Sequence, residues 1–316
     1  MKKNKEILIT GGAGFIGSQL ADHFLKNGYG VTVVDNLIWG KREFFEHNLK
    51  NSKYKFFEVD LLDKKSIESV LTEKIDTVFH LAANSDISRS ARDPQIDLNN
   101  TTTATFNLLE GMRIKGIKKI FYFSGSGVYG DVGNISTKEN FGPLCPVSMY
   151  GATKLSAEAM IYAYSNLFNI QSWVLRPANI IGPRATHGVV FDFINKLMKN
   201  PEKLIVLGDG KQSKSYIYVS DVIAAVDLVW NNSNEMRNIF NISSGSYVTV
   251  EEIAKIIIEE MSLKTKIEYT GGAIGWKGDV SIVRINSEKI AKLGWKSNYT
   301  SGEAVKKTAR KILGLE

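Results

Sequence analysis

The sequence predicts an α/β fold: a doubly wound (Rossmann) parallel sheet with helices on both faces, followed by a smaller mixed α/β C-terminal domain. Three observations lead there. Short strands alternate with helix-length segments through the first half of the 316 residues. Those strands are apolar throughout, the pattern of a sheet covered on both faces. Glycines recur at 11, 14 and 17 directly after the first strand. The length exceeds the roughly 100–200 residues of one domain, so two domains are expected, 1–175 and 176–316, with the stretch 215–245 packing back on the first.

In order, residues 6–10 form a compact apolar strand ending in glycines, and 18–26 a helix closed by Asn27-Gly28. Strands two to four are 31–35, 54–60 and 77–82. A helix follows over 100–115, then a fifth strand over 119–124, a long helix over 150–168 and a sixth strand over 172–178. Beyond Arg176 the pattern loosens. Short strands at 204–207, 216–219, 239–242 and 266–269 mix with helices over 189–199, 221–230, 251–261 and 303–312. The last opens on Thr300-Ser301-Gly302-Glu303, a capping-box pattern.

Apolar residues at 43% and charged residues at 23% are ordinary for a globular chain and exclude a disordered or collagen-like one. Cys145 is the single cysteine, so no internal disulfide and no thiolate metal cluster is expected, and a reducing compartment follows. No apolar run approaches the ~20 residues that span a bilayer. The basic start Met1-Lys2-Lys3-Asn4-Lys5 is followed only by Ile7-Leu8-Ile9 before polar Thr10, too short for an export signal. A cytoplasmic protein with no membrane partner is expected. The net charge of +7 is carried by scattered lysines without arginine-rich runs, so no nucleic-acid partner is expected. A mildly positive field suits an anionic metabolite equally well.

The segment Thr10-Gly11-Gly12-Ala13-Gly14-Phe15-Ile16-Gly17 carries the first chemistry. Gly11 permits a sharp turn, Gly14 admits a pyrophosphate close to the backbone, and Gly17 lets helix and strand pack closely. The helix N-terminus supplies free N–H groups and a positive dipole. The second strand ends in Asp35, placed to accept bonds from a ribose diol, and Asn36 rather than arginine follows. The expected cofactor is therefore NAD rather than NADP.

The G-x-x-G-x-x-G spacing resembles the extended short-chain dehydrogenase/reductase superfamily. That resemblance implies cofactor contacts from Phe15 and Ile16 in the turn, from Asp60-Leu61 at the adenine edge, and from Leu81-Ala82-Ala83 after the fourth strand. It implies further contacts from Asn99 and Pro177. Thr101-Thr102-Thr103-Ala104-Thr105 is similar to the superfamily's Asn-Val-x-Ala/Gly-Thr, with Thr101 where Asn is usual.

Tyr150 and Lys154 form Tyr-x-x-x-Lys at the start of a helix, which puts phenol and ammonium on one face. A free tyrosine with a pKa near ~10 is a poor base at neutral pH. A neighbouring cation favours the phenolate, and oxidised nicotinamide adds a second positive charge. Lowering that pKa by ~3 units takes about 4 kcal/mol. In the resembled superfamily this pair is catalytic and also touches the cofactor.

A Ser or Thr of the superfamily usually lies five residues before the glycine of a Val-Tyr-Gly triplet. In Ser124-Gly125-Ser126-Gly127-Val128-Tyr129-Gly130 that position is Gly125. A flanking serine, Ser124 ahead of Ser126, is expected to bond the reacting oxygen; the alternative is a structural turn in a site that manages without it.

The second half resembles nucleotide-sugar epimerases, particularly the compact archaeal-like UDP-galactose (UDP-glucose) 4-epimerases. The carrying residues are Arg176-Pro177-Ala178-Asn179, His187-Gly188-Val189-Val190, Lys214-Ser215-Tyr216 and Gly275-Trp276-Lys277-Gly278-Asp279. The resemblance implies substrate contacts from Ser126, Tyr150, Asn179, Gly188, Val189, Val190, Lys214, Tyr216, Lys277 and Asp279. Lys214 stands where many members carry a phosphate-binding arginine. Trp276 takes a second arginine's place, with Lys277 beside it as a point charge.

The implied reaction is NAD-dependent C4 oxidation of a UDP-sugar and re-reduction on the opposite face, in a homodimer built through the helices after Asn100 and Tyr150. Dehydratases of this group commonly show Asp-Glu beside the serine/threonine position, and decarboxylases a Glu. Ser126-Gly127 offers neither. Val283, four residues beyond Asp279, falls near the position that sets pocket size at C2 of the sugar. UDP-N-acetylhexosamine or UDP-glucuronate 4-epimerases, a nucleotide-sugar reductase or dehydrogenase, and a non-catalytic NAD-binding module are the alternatives.

Overall fold

The computed structural model describes residues 5–85, 90–276 and 278–316. Seven strands, β1 (Glu6–Thr10), β2 (Gly30–Asp35), β3 (Tyr54–Glu58), β4 (Ile75–His80), β5 (Lys119–Phe123), β6 (Gln171–Pro177) and β7 (Arg237–Ile242), form one sheet in the order β7-β6-β5-β4-β1-β2-β3. The registers from β3 across to β6 are parallel. The chain starts in the middle, runs outward to β3, and returns to β4 on the other side of β1. That reversal is the switch point at which open α/β sheets bind ligands.

Strand periodicity sorts the core into two layers. Leu8, Val34, Val78, Ile120, Tyr122 and Val174 face one way, toward the helices α2 (Lys64–Val70), α3 (Ala104–Ile114) and α4 (Met149–Phe168). On the opposite face Phe79 stacks on Phe121, and Phe24 of helix α1 (Phe15–Lys26) packs on Phe79 and Trp230. Apart from half-buried Trp230 these residues are buried, each worth roughly 1.5–3 kcal/mol of apolar transfer.

The chain divides into two compact units. The first comprises Met1–Ser124, Ala152–Leu175 and Trp230–Ile239, and the second Gly125–Gly151, Arg176–Val229 and Phe240–Glu316. The division is thus not one cut at 175/176: residues 125–151 go with the later part and 230–239 with the earlier. The second unit is built of short strand pairs. Asn179–Ile181 runs parallel to Tyr216–Tyr218, Lys203–Val206 parallel to Lys266–Tyr269, and Ser213–Lys214 antiparallel to Val248–Thr249. Helix α5 (Val189–Lys199), helix α7 (Val250–Glu260) and helix α8 (Ser301–Ile312) pack on one another, while α6 (Val219–Asn232) runs from the second unit into the first.

Several boundaries differ from the sequence reading. Helix α1 starts at Phe15, not 18, because the glycine turn itself is its N-terminus, with Gly14 as the cap residue. The segment 98–103 is a π-helical turn ahead of α3 rather than part of one α-helix. Residues 239–242, read as one of the short strands of the second half, lie within β7 at the edge of the main sheet. Apolar pattern identifies a strand but not its partner. The capping box at Thr300 and Glu303 is present, and Thr249 and Glu252 form another.

Candidate active site

Gly11 has φ +70°, and a side chain there would bring Cβ within 2.7 Å of the Ala82 nitrogen and 2.9 Å of its Cα. A Cβ on Gly17 would lie 2.3 Å from the Gly11 carbonyl oxygen. Both positions exclude any residue but glycine. At Gly14 only the Gly11 oxygen, 3.2 Å from an added Cβ, is near, so the backbone there is open to an incoming group. Phe15, Ile16 and Gly17 begin α1, whose first turn has neither an acidic residue nor a side-chain cap, leaving its N–H groups and dipole for an anion.

Asp35 ends β2 beside this turn. Its Oδ2 accepts the Ala13 N–H at 3.0 Å and its Oδ1 the Leu37 N–H at 2.9 Å. Burial raises its pKa while those two bonds oppose the rise. Each oxygen keeps a lone pair for a further donor. Asn36 donates to Asp60 at 3.1 Å, while Leu61 is buried in the core. Leu81 N–H bonds the Thr10 carbonyl at 3.1 Å, fixing Leu81, Ala82 and Ala83 after β4.

A buried chain of hydrogen bonds lies at the carboxyl ends of β1 and β4. Thr105 donates to the Thr101 carbonyl at 2.5 Å and so accepts from His80 Nε2 at 2.9 Å. His80 Nδ1 then accepts from the Thr10 hydroxyl at 2.7 Å, and Thr10 Oγ1 accepts the Ala82 N–H at 3.3 Å. The partners thus set the tautomer. Burial, aided by the Lys154 charge, pushes the His80 pKa down to about 3, so the imidazole is neutral. Asn99, in the π-helical turn, accepts from Gln95 at 2.7 Å.

Lys154 is buried on α4. Its ammonium donates to the Phe123 carbonyl at 2.8 Å and sits 5.1 Å from the centroid of the Tyr122 ring. Burial lowers its pKa to about 8, with Asp97 and Glu158 working against the fall. Tyr150 stands one turn earlier on the same helix. The turn after β5 runs along Tyr150: a Cβ on Gly125 would lie 3.5 Å from the phenol oxygen, and one on Gly127 3.7 Å from Cδ1. A side chain at position 125 would therefore adjoin the phenol, and glycine places none there. Ser124 is buried and its hydroxyl donates to Glu158. Ser126 is half-buried and opens the short helical turn Ser126–Tyr129.

In the second unit Asn179 and Tyr216 are register partners across the strand pair and hydrogen-bond through their side chains. Burial first, then the Asp279 charge, raises the Tyr216 pKa. Lys214 is ion-paired to Asp279 at 2.5 Å. Four of the residues singled out in the sequence thus assemble into one cluster. Gly188, with φ +98°, caps the N-terminus of α5, and Val189 and Val190 are its first residues. Pro177 ends β6 and is buried. Lys277 lies outside the described residues.

Asp97 and Glu158 did not emerge from the sequence. Glu158 was readable as the residue one turn beyond Lys154; Asp97 carries no local signal.

The family model "Epimerase: NAD dependent epimerase/dehydratase family" matches residues 7–243. A solved UDP-galactose 4-epimerase is 38% identical, with a TM-score of 0.88 over 98% of this chain and 99% of that one. The UDP-glucose 4-epimerase of Mycolicibacterium smegmatis is 31% identical over 308 residues, 95% of this chain and 96% of the relative. A UDP-N-acetylglucosamine 4-epimerase from Methanobrevibacter ruminantium M1, solved with UDP-N-acetylmuramic acid, is 28% identical with a TM-score of 0.87, over 99% of this chain and 100% of that one.

Proposed function

The chain belongs to the NAD-dependent epimerase/dehydratase family, and from that premise we propose that it is an isomerase that inverts C4 of a UDP-sugar, interconverting UDP-galactose and UDP-glucose. Its cofactor is NAD, which when bound supplies a reversible hydride acceptor for the sugar C4. The residues fit it. The open backbone at Gly14 and the free N–H groups of Phe15, Ile16 and Gly17 take the pyrophosphate, and the lone pairs of Asp35 take a ribose diol.

The observation that carries the reading is Tyr150 beside an acid-free turn. Tyr150 removes the proton from the 4-hydroxyl and later returns it, so proton and hydride both come back and net redox change is zero. Lys154, charged and anchored to the Phe123 carbonyl, favours the Tyr150 phenolate. With Ser124 donating to Glu158, the hydroxyl that bonds the sugar 4-oxygen is assigned to Ser126. Residues 125–127 carry no carboxylate to act on C5 or C6, which separates this site from dehydration and decarboxylation. Asn179, Tyr216, Lys214 and the first N–H groups of α5 are proposed to hold the UDP moiety, Lys214 exchanging Asp279 for a phosphate oxygen.

A homodimer in the cytoplasm is part of the same reading. It is supported by the exposed Phe106 and Ile114 on α3 and Leu167 on α4, and light scattering checks it. Among the described residues no helix is long and apolar enough to cross a membrane.

The experiment is incubation of the purified protein with UDP-galactose without added cofactor, followed by separation of the UDP-sugars. UDP-glucose without net NADH is the expected result. No product from UDP-galactose moves the assignment to UDP-N-acetylgalactosamine or UDP-glucuronate, tried next; no product from any of the three overturns it.

A further inference from the structure

A buried lysine is expensive to keep charged, because burial favours the neutral amine. Lys154 is only 3% exposed, yet a cation at this position is what Tyr150 requires. Its ammonium donates to the neutral Phe123 carbonyl and lies 5.1 Å from the Tyr122 ring centroid, and its charge helps keep His80 on β4 un-ionised. Glu158 stands four residues along the same helix and holds Ser124, next to the Phe123 carbonyl that Lys154 bonds, and the charges of Asp97 and Glu158 both oppose the fall of the Lys154 pKa. Asp97 is fully buried in the single turn Pro94–Asp97 that leads into the π-helical segment, and its Oδ1 accepts from Asn84 at 2.8 Å. The second oxygen, Oδ2, makes no hydrogen bond among the described residues. Glu158 is 1% exposed. An isolated buried carboxylate is as costly as an isolated buried ammonium; the three offset one another's cost.

We propose that Asp97 and Glu158 are positioning residues for Lys154: their buried carboxylates keep its ammonium charged at the end of β5, where the catalytic tyrosine depends on that charge. This inference rests on the role given to Tyr150 and Lys154 above, but its first readout does not.

The test is an NMR titration of the full-length protein carrying 13C-labelled lysine, with the Lys154 signal assigned by its loss in Lys154→Met. In the wild type that signal titrates about pH 8, apart from surface lysines near ~10.4. Asp97→Asn keeps an acceptor for Asn84, and Glu158→Gln keeps one for Ser124, so each removes charge with little change of shape. Each is expected to lower the Lys154 midpoint by about one unit, because a lost neighbouring anion favours the neutral amine. Glu158→Asp, which retains the charge, is expected to titrate closer to the wild type. In epimerase assays the alkaline limb of kcat/KM then moves to lower pH by the same amount, a shift that a merely structural role would not produce. Midpoints unchanged in both amide variants overturn the inference, and a shift in only one removes the other residue from it. Should one variant fail to fold by circular dichroism, the other decides. A wild type inactive on every UDP-sugar overturns the proposed function and leaves the titration to judge this inference separately.

Discussion

Two turns after strands of the same sheet both carry glycine, but only one of them requires it. Gly11 sits at positive φ with the backbone of Ala82 in the space of its missing Cβ. Gly125 is fully extended, and its added Cβ would find nothing nearer than the Tyr150 phenol oxygen at 3.5 Å, ordinary van der Waals contact. The first glycine is imposed by sterics. The second leaves room for a side chain beside the proposed base, so what it omits is chemistry rather than bulk. Glycine in a motif therefore reads as a requirement only where the backbone or a neighbour demands it.

The comparison can be broken or sharpened, beginning with the group that Gly125 faces. Tyr150→Phe is expected to lower kcat by about 10³-fold while the bound NAD, measured after denaturation, is retained. Residual epimerisation near the wild-type rate would remove Tyr150 as the base. Gly11→Ala is expected to cost roughly 2–4 kcal/mol in urea unfolding and to strip the cofactor. Gly125→Ala is expected to stay within about 0.5 kcal/mol of the wild type. Equal penalties for the two would erase the distinction.

Ser126→Ala is expected to reduce kcat by about tenfold to a hundredfold, with Gly125→Ser in that background restoring part of it. A larger loss in Ser124→Ala would return the role to Ser124. Lys214→Ala is expected to raise KM for the UDP-sugar about tenfold with kcat little changed, since its cation would act on phosphate rather than on C4.

A separate effect is on the pH dependence of stability. His80 titrates about pH 3 when folded and near ~6.5 when unfolded. The unfolded chain therefore binds more protons between those values. The stability this residue contributes is complete above pH 6.5 and falls as pH drops toward 3, by at most about 1.4 kcal/mol per unit. Denaturant melts of His80→Gln against the wild type over that range should show a shallower slope in the variant.

What the sequence disclosed follows how local each feature is. The glycine turn, Asp35 and the Tyr150–Lys154 pair are each written within a few consecutive residues, so motif spacing alone locates them. Lys214 and Asp279 were each recognised, but their ion pair spans 65 positions and depends on the short strands of the second unit. The serines on either side of Gly125 are legible in the sequence, but the Glu158 that takes the Ser124 hydroxyl lies 34 positions away. Asp97 had no signal because its significance comes only from the buried lysine that the fold brings under its influence. Strand β7 was legible as a strand, whereas its place at the sheet edge is a tertiary fact.

The hydrogen-bond chain through His80 has one direction from end to end: Ala82 N–H to Thr10, Thr10 to His80, His80 to Thr105, Thr105 to the Thr101 carbonyl. Its two termini are main-chain groups, so neither end can reverse. Every side chain between must receive on one side and give on the other, and a substitute that can do only one leaves a buried partner unsatisfied, at about 1–3 kcal/mol. The sequence space open to these three positions is thereby restricted to hydroxyls, neutral imidazole and carboxamides, a grammar set by polarity rather than by size.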